Sequence, residues 1–329
     1  MAIATNTRTT YGAIGIREDL SNIIYNISPM DTPFLSGVGK GSADNTLFEW
    51  QTDELTAAAA NQQLEGDDSM NALAVAEPTR LTNYCQISYK AVQSSGTAEA
   101  VDFAGRKSSQ AYQLAKRAKE IKRDMEKMLL SNDVKAAGAA GTARKTAAVM
   151  SWLGTGSAGT SNIILGSASP VVGVTNTAAG THFAAFGTPA VLTMAMINLA
   201  MERCFTLGGE PSTIMAPADL KQKISALGGS VLADIQSNAA GDKPTTAVNA
   251  IDVLVTDFGT LKIVPSRLML ADMLFFVDFD FWSVDYLRPF QTETLAKTGD
   301  SIKQLMIAEY GLRAKNGLAN AAVIGVKDA

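Results

Sequence analysis

The most regular succession of apolar and polar positions in the chain lies between Ser108 and Asn132. Its apolar residues recur every three or four positions, which places them on one stripe of an α-helix; they are Leu114, Ala118, Ile121, Met125 and Met128. The opposite face is charged and carries Lys116, Lys119, Glu120, Lys122, Arg123, Glu126 and Lys127. Ser108 is a residue type that caps helix N-termini. The pattern predicts an amphipathic helix over residues 108–131 with one face on a core.

A pattern of period two occurs on both sides of an acidic, alanine-rich stretch. Thr46–Trp50 and Tyr84–Tyr89 each alternate apolar with polar side chains, which is typical of β-strands. We expect these two segments to pair as the base of a long ribbon. Because a two-stranded ribbon is barely stable by itself in water, we expect it to depend on neighbouring copies of the chain for support.

Short helices and strands are predicted for the rest of the chain. Capping and stop residues predict helices over 188–207 and 217–227, the second ended by Gly228 and Gly229. Apolar runs between turn residues predict strands at Thr213–Met215, Val253–Val255, Leu261–Val264, Met273–Val277, Ser283–Leu287, Ile302–Arg313 and Ala321–Val326. Since helices and strands do not alternate regularly, the predicted fold class is α+β.

Charge is segregated along the chain, although the formal net charge of -4 is small and excludes a globally cationic nucleic-acid binder. Residues 41–79 hold eight acidic residues and no Lys or Arg. Residues 80–127 hold ten basic residues against five acidic ones, and residues 146–201 hold no charged residue. One such block could equally be a solvated face. Three blocks in one chain favour a surface that copies of the same chain cover, since monomeric proteins usually intersperse both signs.

No group of residues predicts catalysis, a metal or a cofactor. Gly154–Gly159 fits the GxGxxG pattern, but a dinucleotide site needs a strand before this loop and a helix after it, and here the order is reversed. The single histidine, His182, has no sequence-near carboxylate to orient it as a base. Cys85 and Cys204 are expected to pack as small apolar residues. The most apolar stretch, 189–201, is shorter than the ~20 residues of a membrane span.

Several segments resemble the major capsid proteins of tailed double-stranded DNA bacteriophages. They are GIREDLSNIIYNISPMDTPFLSGVGKG (15–41), FEWQTDEL (48–55), PTRLTNYCQISYKAVQSSGT (78–97), AYQLAKRAKEIKRDMEKMLLSN (111–132), VLVTDFGTLKIVPSR (253–267) and YLRPFQTETLAKTGD (286–300). The similarity is to a capsid family of short-tailed phages with the Hong Kong 97-type fold.

The resemblance implies a division of the chain into the parts of that fold. It assigns an N-terminal arm to residues 1–40, an extended β-ribbon loop to 41–100, a peripheral domain with the spine helix 108–131 and an uncharged insertion to 101–204, an axial domain to 205–265, and return strands of the peripheral domain to 266–329. In this fold the ribbon lies on an adjacent subunit, which would supply the support expected above.

The function that the resemblance implies is that of a structural, non-enzymatic shell subunit. Copies would form hexamers and pentamers of an icosahedral phage head, in the virion, after assembly in the host bacterial cytoplasm. The implied partners are a separate scaffold protein, because the sequence starts at the arm, together with a portal and a decoration protein. Packaged double-stranded DNA would be contacted without sequence readout by scattered Lys and Arg on the inner face. No membrane is implied.

Opposite charges suggest where neighbouring subunits meet. An acidic ribbon that lies on a neighbour's basic helix would be steered and held in register by charge. The candidate contact residues are Glu65, Asp67 and Asp68 on the ribbon and Lys116, Lys119, Lys122 and Arg123 on the helix. Two other functions remain open from the sequence: an encapsulin-like compartment shell, which shares this fold, and a nucleotide-dependent enzyme with a degenerate site at Gly154–Gly159.

Overall fold

The structure of the chain is a computed structural model that describes residues 31–53, 55, 58–60, 62, 65, 77–103, 108–153, 162–166, 189–236 and 252–328. Its helices are α1 (Pro33–Gly37), α2 (Gly96–Ala100), α3 (Ser109–Leu129), α4 (Met194–Thr206) and α5 (Ala218–Gln236). Its strands are β1 (Gly39–Ser42), β2 (Leu47–Thr52), β3 (Thr79–Tyr84), β4 (Gln86–Ser95), β5 (Ile163–Leu165), β6 (Ala190–Val191), β7 (Thr213–Ala216), β8 (Val253–Thr256), β9 (Gly259–Pro265), β10 (Met273–Val277), β11 (Trp282–Thr294), β12 (Ser301–Ala314), β13 (Ala321–Ile324) and β14 (Val326–Lys327).

The strands form two main sheets. One has four strands in the order β1-β11-β12-β4, and α3 lies against β4 and β12. The other has six strands in the order β5-β13-β10-β7-β9-β8. Two further pairs, β2-β3 and β14-β6, stand apart from these sheets. Helices and strands are both present and follow no βαβ alternation, as the predicted α+β class requires.

The hydrophobic core has two halves that meet at β10, whose five residues are all buried. Met273, Phe275 and Val277 point into the half that α1, α3 and β11 share. Leu274 and Phe276 point into the half that α4 and α5 line. Because side chains alternate between the two faces of a strand, one short strand joins both halves of the core.

The long amphipathic helix is confirmed by α3, which is capped as predicted. The Ser108 hydroxyl accepts a hydrogen bond from the backbone N–H of Ala111 at 3.2 Å. Ile121, Met125 and Leu129 are fully buried along the helix. One predicted position is wrong: Glu126, which the periodicity assigns to the charged face, is also fully buried.

Two predicted helix boundaries are wrong. Pro189 does not start a helix, because Ala190 and Val191 form β6 and pair with β14, and α4 begins only after Thr193. Gly228 and Gly229 do not end a helix, since α5 continues through both to Gln236. Gly208, by contrast, follows α4 with φ of 81°. A glycine in a helix interior costs only about 1 kcal/mol relative to alanine, so a Gly-Gly pair is a weak stop signal without this left-handed turn.

The predicted strands of the C-terminal part are confirmed, except that Gly325, with φ of 65°, divides the strand predicted over Ala321–Val326 into β13 and β14. β8 and β9 pair antiparallel, with Val255 opposite Thr260, and β11 and β12 extend further than the apolar runs predicted. Residues 266–329 supply β11 and β12 to the four-stranded sheet and β10 and β13 to the six-stranded sheet. This stretch therefore contributes to both sheets.

Burial explains part of the uncharged stretch 146–201. Residues 146–153 are all buried and contain Trp152 and Leu153 in the core. Farther along, β5 pairs in parallel with β13, and Ile197, Ala200 and Met201 of α4 are buried. A charge at these positions would lose its hydration, which accounts for its absence. The apolar pair Val171–Val172 lies outside the described residues, and so do residues 17–27, for which the sequence predicts a short helix ended by Ser28 and Pro29.

Candidate assembly interface

The exposed side of α3 is a row of cations. Lys116, Lys119 and Lys122 are exposed and Arg123 is half-buried. The acidic residues of the same helix are engaged elsewhere, because Glu120 pairs with Arg117 and Asp124 pairs with Lys90 of β4 at 2.6 Å. Among the residues that the structure describes, none forms an ion pair with the four cations. The helix therefore presents an unneutralised basic face, which we call the basic face of α3.

The acidic partners predicted for this face lie on the connection between β2 and β3. Glu65 is exposed in a turn, whereas Asp67 and Asp68 lie outside the described residues. No contact between Glu65 and the basic face is found within the described part of one chain. On the ribbon itself, Glu49 of β2 pairs with Arg80 of β3. The structure of a single chain thus leaves Glu65 available to another molecule.

The root of the ribbon is held by its own subunit, contrary to the expectation that only neighbours support it. β2 and β3 pair in register from Leu47–Tyr84 to Thr52–Thr79. The predicted pairing of Thr46–Trp50 with Tyr84–Tyr89 is therefore wrong beyond Tyr84, because residues 86–89 belong to β4, which pairs with β12. The indole N–H of Trp50 donates to the carbonyl oxygen of Ala314 at 2.9 Å, and its ring lies 5.3 Å from that of Trp152. Phe48 stacks on Trp50 at 5.6 Å. These contacts fix the base of the ribbon on β12.

A buried amide completes this anchor. Asn83 of β3 is fully buried, and its side-chain N–H₂ donates to the carbonyl of Leu312 at 2.6 Å and to the hydroxyl of Thr146 at 3.0 Å. Its side-chain oxygen accepts from the backbone N–H of Ala147 at 2.9 Å. One residue therefore ties the ribbon to β12 and to the segment that follows α3.

An ion pair beneath the ribbon joins the two long strands. Asp285 of β11 is 1% exposed and pairs with Arg313 of β12, while the hydroxyl of Ser283 donates to it at 2.9 Å. The Arg313 guanidinium also lies over the rings of Phe48 and Trp50, at 5.8 and 5.9 Å from their centres. A cation over an aromatic face is attracted by the ring quadrupole, so Arg313 links the ribbon root to the sheet.

A second buried carboxylate holds the segment after α3. Glu309 of β12 accepts hydrogen bonds from Arg144, which lies between α3 and the buried segment 146–153, and from Arg288 of β11, the latter at 2.8 Å. Its side chain is only 4% exposed. Two guanidinium groups thus compensate one buried charge, as buried carboxylates require.

Two further titratable groups in the described part of the chain are buried thiols. Burial raises the pKa of Cys204 to about 12, and burial together with the Glu309 carboxylate raises the pKa of Cys85 to about 11. Both thiols are free and buried, which confirms that they pack as apolar residues. Across the described ranges no cluster of His, Cys, Asp and Glu could hold a metal, and no helix is long and apolar enough to cross a membrane. His182 and Gly154–Gly159 lie outside these ranges.

Three polar features of this region were not predicted from the sequence: the buried carboxylate of Glu126, the buried amide of Asn83, and the Asp285–Arg313 ion pair. Glu126, Asn83 and Asp285 are polar and buried, and each bonds to a partner more than 20 residues away. A signal existed only for Glu126, since Leu129 and Leu130 are adjacent apolar residues and indicate that the buried stripe of α3 widens at this end.

Comparison with known proteins gives the family. Residues 3–327 match the model of the SU10 major capsid protein family. The major capsid protein of Escherichia phage Phieco32 is 30% identical to this chain over 94% of both chains. The capsid of cyanophage A-1(L) has a similar structure, with a TM-score of 0.64 and 12% identity over 94% of this chain and 97% of that one. The Hong Kong 97-type capsid fold is therefore confirmed.

An encapsulin has the same fold but is less similar. The SrpI encapsulin of Synechococcus elongatus PCC 7942 gives a TM-score of 0.53 and 9% identity over 95% of this chain and 94% of that one. At this identity the likeness shows the fold alone. The family match and the 30% identical relative are phage capsid proteins, which favours the phage head over the encapsulin compartment and over an enzyme. The chain belongs to the SU10 major capsid protein family, and its copies form the capsid shell of a phage virion.

Proposed function

We propose that the subunits of this shell tile as hexamers and pentamers in which the acidic ribbon of one subunit lies on the basic face of α3 of its neighbour. The observation that carries the proposal is the unneutralised row Lys116, Lys119, Lys122 and Arg123. The ribbon has the complementary charge, since residues 41–79 contain eight Asp or Glu residues and no Lys or Arg. Complementary charge steers encounter and fixes register, which a repeating lattice of identical contacts needs.

The sheets suggest how the subunit is divided. In this proposal the four-stranded sheet with α3 is the peripheral domain, and the six-stranded sheet with α4 and α5 is the axial domain near the capsomer centre. The six-stranded sheet includes β5, β10 and β13, so the axial unit takes strands from outside residues 205–265. The extended loop of 41–100 likewise contains β4, which pairs with β12 along ten residues as part of the four-stranded sheet.

The experiment is a charge reversal with rescue. Glu65, Asp67 and Asp68 are changed to lysine, and shells are counted by negative-stain microscopy after expression with the phage scaffold protein. We expect few shells, and recovery when Lys116, Lys119 and Lys122 are changed to glutamate in the same chain. A matched control changes Glu202, Glu210 and Asp219, which are exposed acids of the six-stranded half, to lysine. Normal yield and stability of the first variant would contradict the contact.

The same variants test a contact with DNA. In the proposed head the packaged double-stranded DNA meets Lys and Arg side chains of the inner face through its phosphates, which needs no base readout. If the three lysine reversals alone leave shell yield unchanged but lower DNA retention, the basic face of α3 serves the genome rather than the neighbouring ribbon.

Further partners belong to the proposal as a set: a separate scaffold protein, a portal and a decoration protein, with assembly in the host bacterial cytoplasm. Capsids of this fold are found with additional proteins, since the phage G particle contains decoration proteins and the P4 procapsid contains a size determination protein. Co-purification of assembled particles from infected cells, followed by mass spectrometry, would identify which of these partners this shell has.

A further inference from the structure

The short helix α1 has no cap of its own. Thr32 occupies its N-cap position, but its side chain accepts no hydrogen bond from the helix. The first N–H groups of any helix lack an acceptor within the helix. Phe34 is fully buried and Leu35 is 8% exposed, so solvent water does not reach their N–H groups to accept these hydrogen bonds. A buried donor without an acceptor is strongly unfavourable, and α1 needs an acceptor from elsewhere.

Glu126 of α3 is that acceptor. The backbone N–H of Phe34 donates to Glu126 Oε1 at 2.9 Å, and that of Leu35 donates to Glu126 Oε2 at 2.7 Å. Both carboxylate oxygens are thus used, and they come from more than 90 residues further along the chain. Charge-assisted hydrogen bonds of this kind are short and directional.

α1 is held in place by apolar packing as well as by Glu126. α1 precedes β1, which pairs in parallel with β11, and it lies at the C-terminal end of the predicted arm, residues 1–40. Phe34 packs its ring against those of Phe275 and Trp282 at 6.3 Å. Such apolar contact is strong but non-directional. The two hydrogen bonds to Glu126 are the contacts that set the orientation of α1 relative to α3.

We propose that Glu126 is a positioning residue that fixes the C-terminal end of the arm, which is α1, on the spine helix, so that α1 and α3 move as one unit. A buried carboxylate contributes little net stability, because its desolvation opposes its hydrogen bonds. Its role is orientation: an aliphatic side chain could fill the same space but would leave both N–H groups of α1 without an acceptor.

The test is hydrogen–deuterium exchange on full-length shells carrying Glu126→Ala or Glu126→Gln. Glutamine keeps the side-chain volume and one acceptor oxygen. The glutamine variant is therefore the one to measure if the alanine variant does not fold. The control is Glu120→Gln, an equivalent change on the same helix at a residue that pairs with Arg117. We expect exchange of the amides of residues 34–38 to rise by about tenfold or more in the Glu126 variants, with α3 unchanged and the control like wild type.

Two results would overturn the proposal. Unchanged exchange at residues 34–38 would mean that apolar packing alone positions α1. An equal rise across α1, α3 and β12 would mean that Glu126 supports the whole fold and has no particular role at the arm. Shell morphology gives a second readout. If α1 is no longer held on α3, negative-stain images of the Glu126 variants should show shells of irregular size. Variant shells as uniform as those of wild type would contradict the coupling.

Discussion

Trp50 of β2 donates its indole N–H to the carbonyl oxygen of Ala314, the last residue of β12, 264 positions along the chain. The bond lies where the ribbon leaves the body of the subunit, beside the stacked ring of Phe48. The direction in which the ribbon departs is therefore set within one subunit, before any neighbour binds.

Trp50→Phe tests this anchor. Phenylalanine keeps much of the ring packing but leaves the Ala314 carbonyl without its donor, which we expect to lower the free energy of unfolding by about 1 kcal/mol. Trp50→Ala should cost more, since it also removes contact with Trp152. Urea denaturation of unassembled subunits measures both. Equal stability of the alanine variant and wild type would show that the root is not anchored here.

Asn83→Ala should be more damaging than Trp50→Phe. It removes the donor to Leu312 and Thr146 and the acceptor of Ala147. Leaving buried polar groups unpaired costs about 1–3 kcal/mol each, so we expect a loss of about 3 kcal/mol by urea denaturation. Asn45→Ala, which changes an exposed asparagine beside the same ribbon, is the control and should change stability far less.

Gly41 should not accept a side chain. A Cβ at this position of β1 would meet the carboxylate of Asp285, which is itself held by Arg313 and Ser283. We expect Gly41→Ala to lower the free energy of unfolding by about 1–3 kcal/mol through overpacking. Gly299→Ala is the matched control, since no atom lies within 4 Å of a Cβ there. Equal melting curves for the two variants would contradict the close approach.

The two cysteines should be inert in the native subunit. With pKa values raised to about 11 for Cys85 and about 12 for Cys204, almost no thiolate exists at neutral pH. We expect a thiol reagent at pH 8 to label neither in the folded chain and both in urea. Rapid labelling of either thiol without denaturant would show that its region opens.

Glu126 should give a measurable pH dependence. Burial raises its pKa above 4.5, and the N–H bonds of Leu35 and Phe34 offset this only in part. The folded chain therefore binds the proton more tightly than the unfolded chain. The stability from this group is fully present below about pH 4.5 and is lost as the pH rises through the folded pKa. Relative to Glu126→Gln, wild type should lose free energy of unfolding over that range; a constant difference in urea titrations would refute this.

The spacing of apolar and polar residues predicted those helices and strands whose formation depends on nearby residues. α3 was predicted from its apolar spacing and its serine cap, and β2 and the start of β4 from their alternation, because side-chain direction repeats with the backbone geometry of each element. That β2 pairs with β3 and not with β4 was not predicted, since alternation does not identify the partner strand. The C-terminal strands followed from apolar runs between turns. The start of α4 was not predictable in this way, because Ala190 and Val191 are drawn into a strand by pairing with β14, a partner far along the chain.

The sequence by itself determined the α+β class, the spine helix, one ribbon strand (β2) and, through resemblance, the capsid family. Only the tertiary structure decided which polar residues are buried: Glu126 lies among charged residues on a helical wheel, yet it is enclosed because α1 brings two N–H groups that lack an acceptor. Periodicity assigns a side chain to a face of its own element. Whether that face meets water or another element's unpaired donor depends on how distant segments pack.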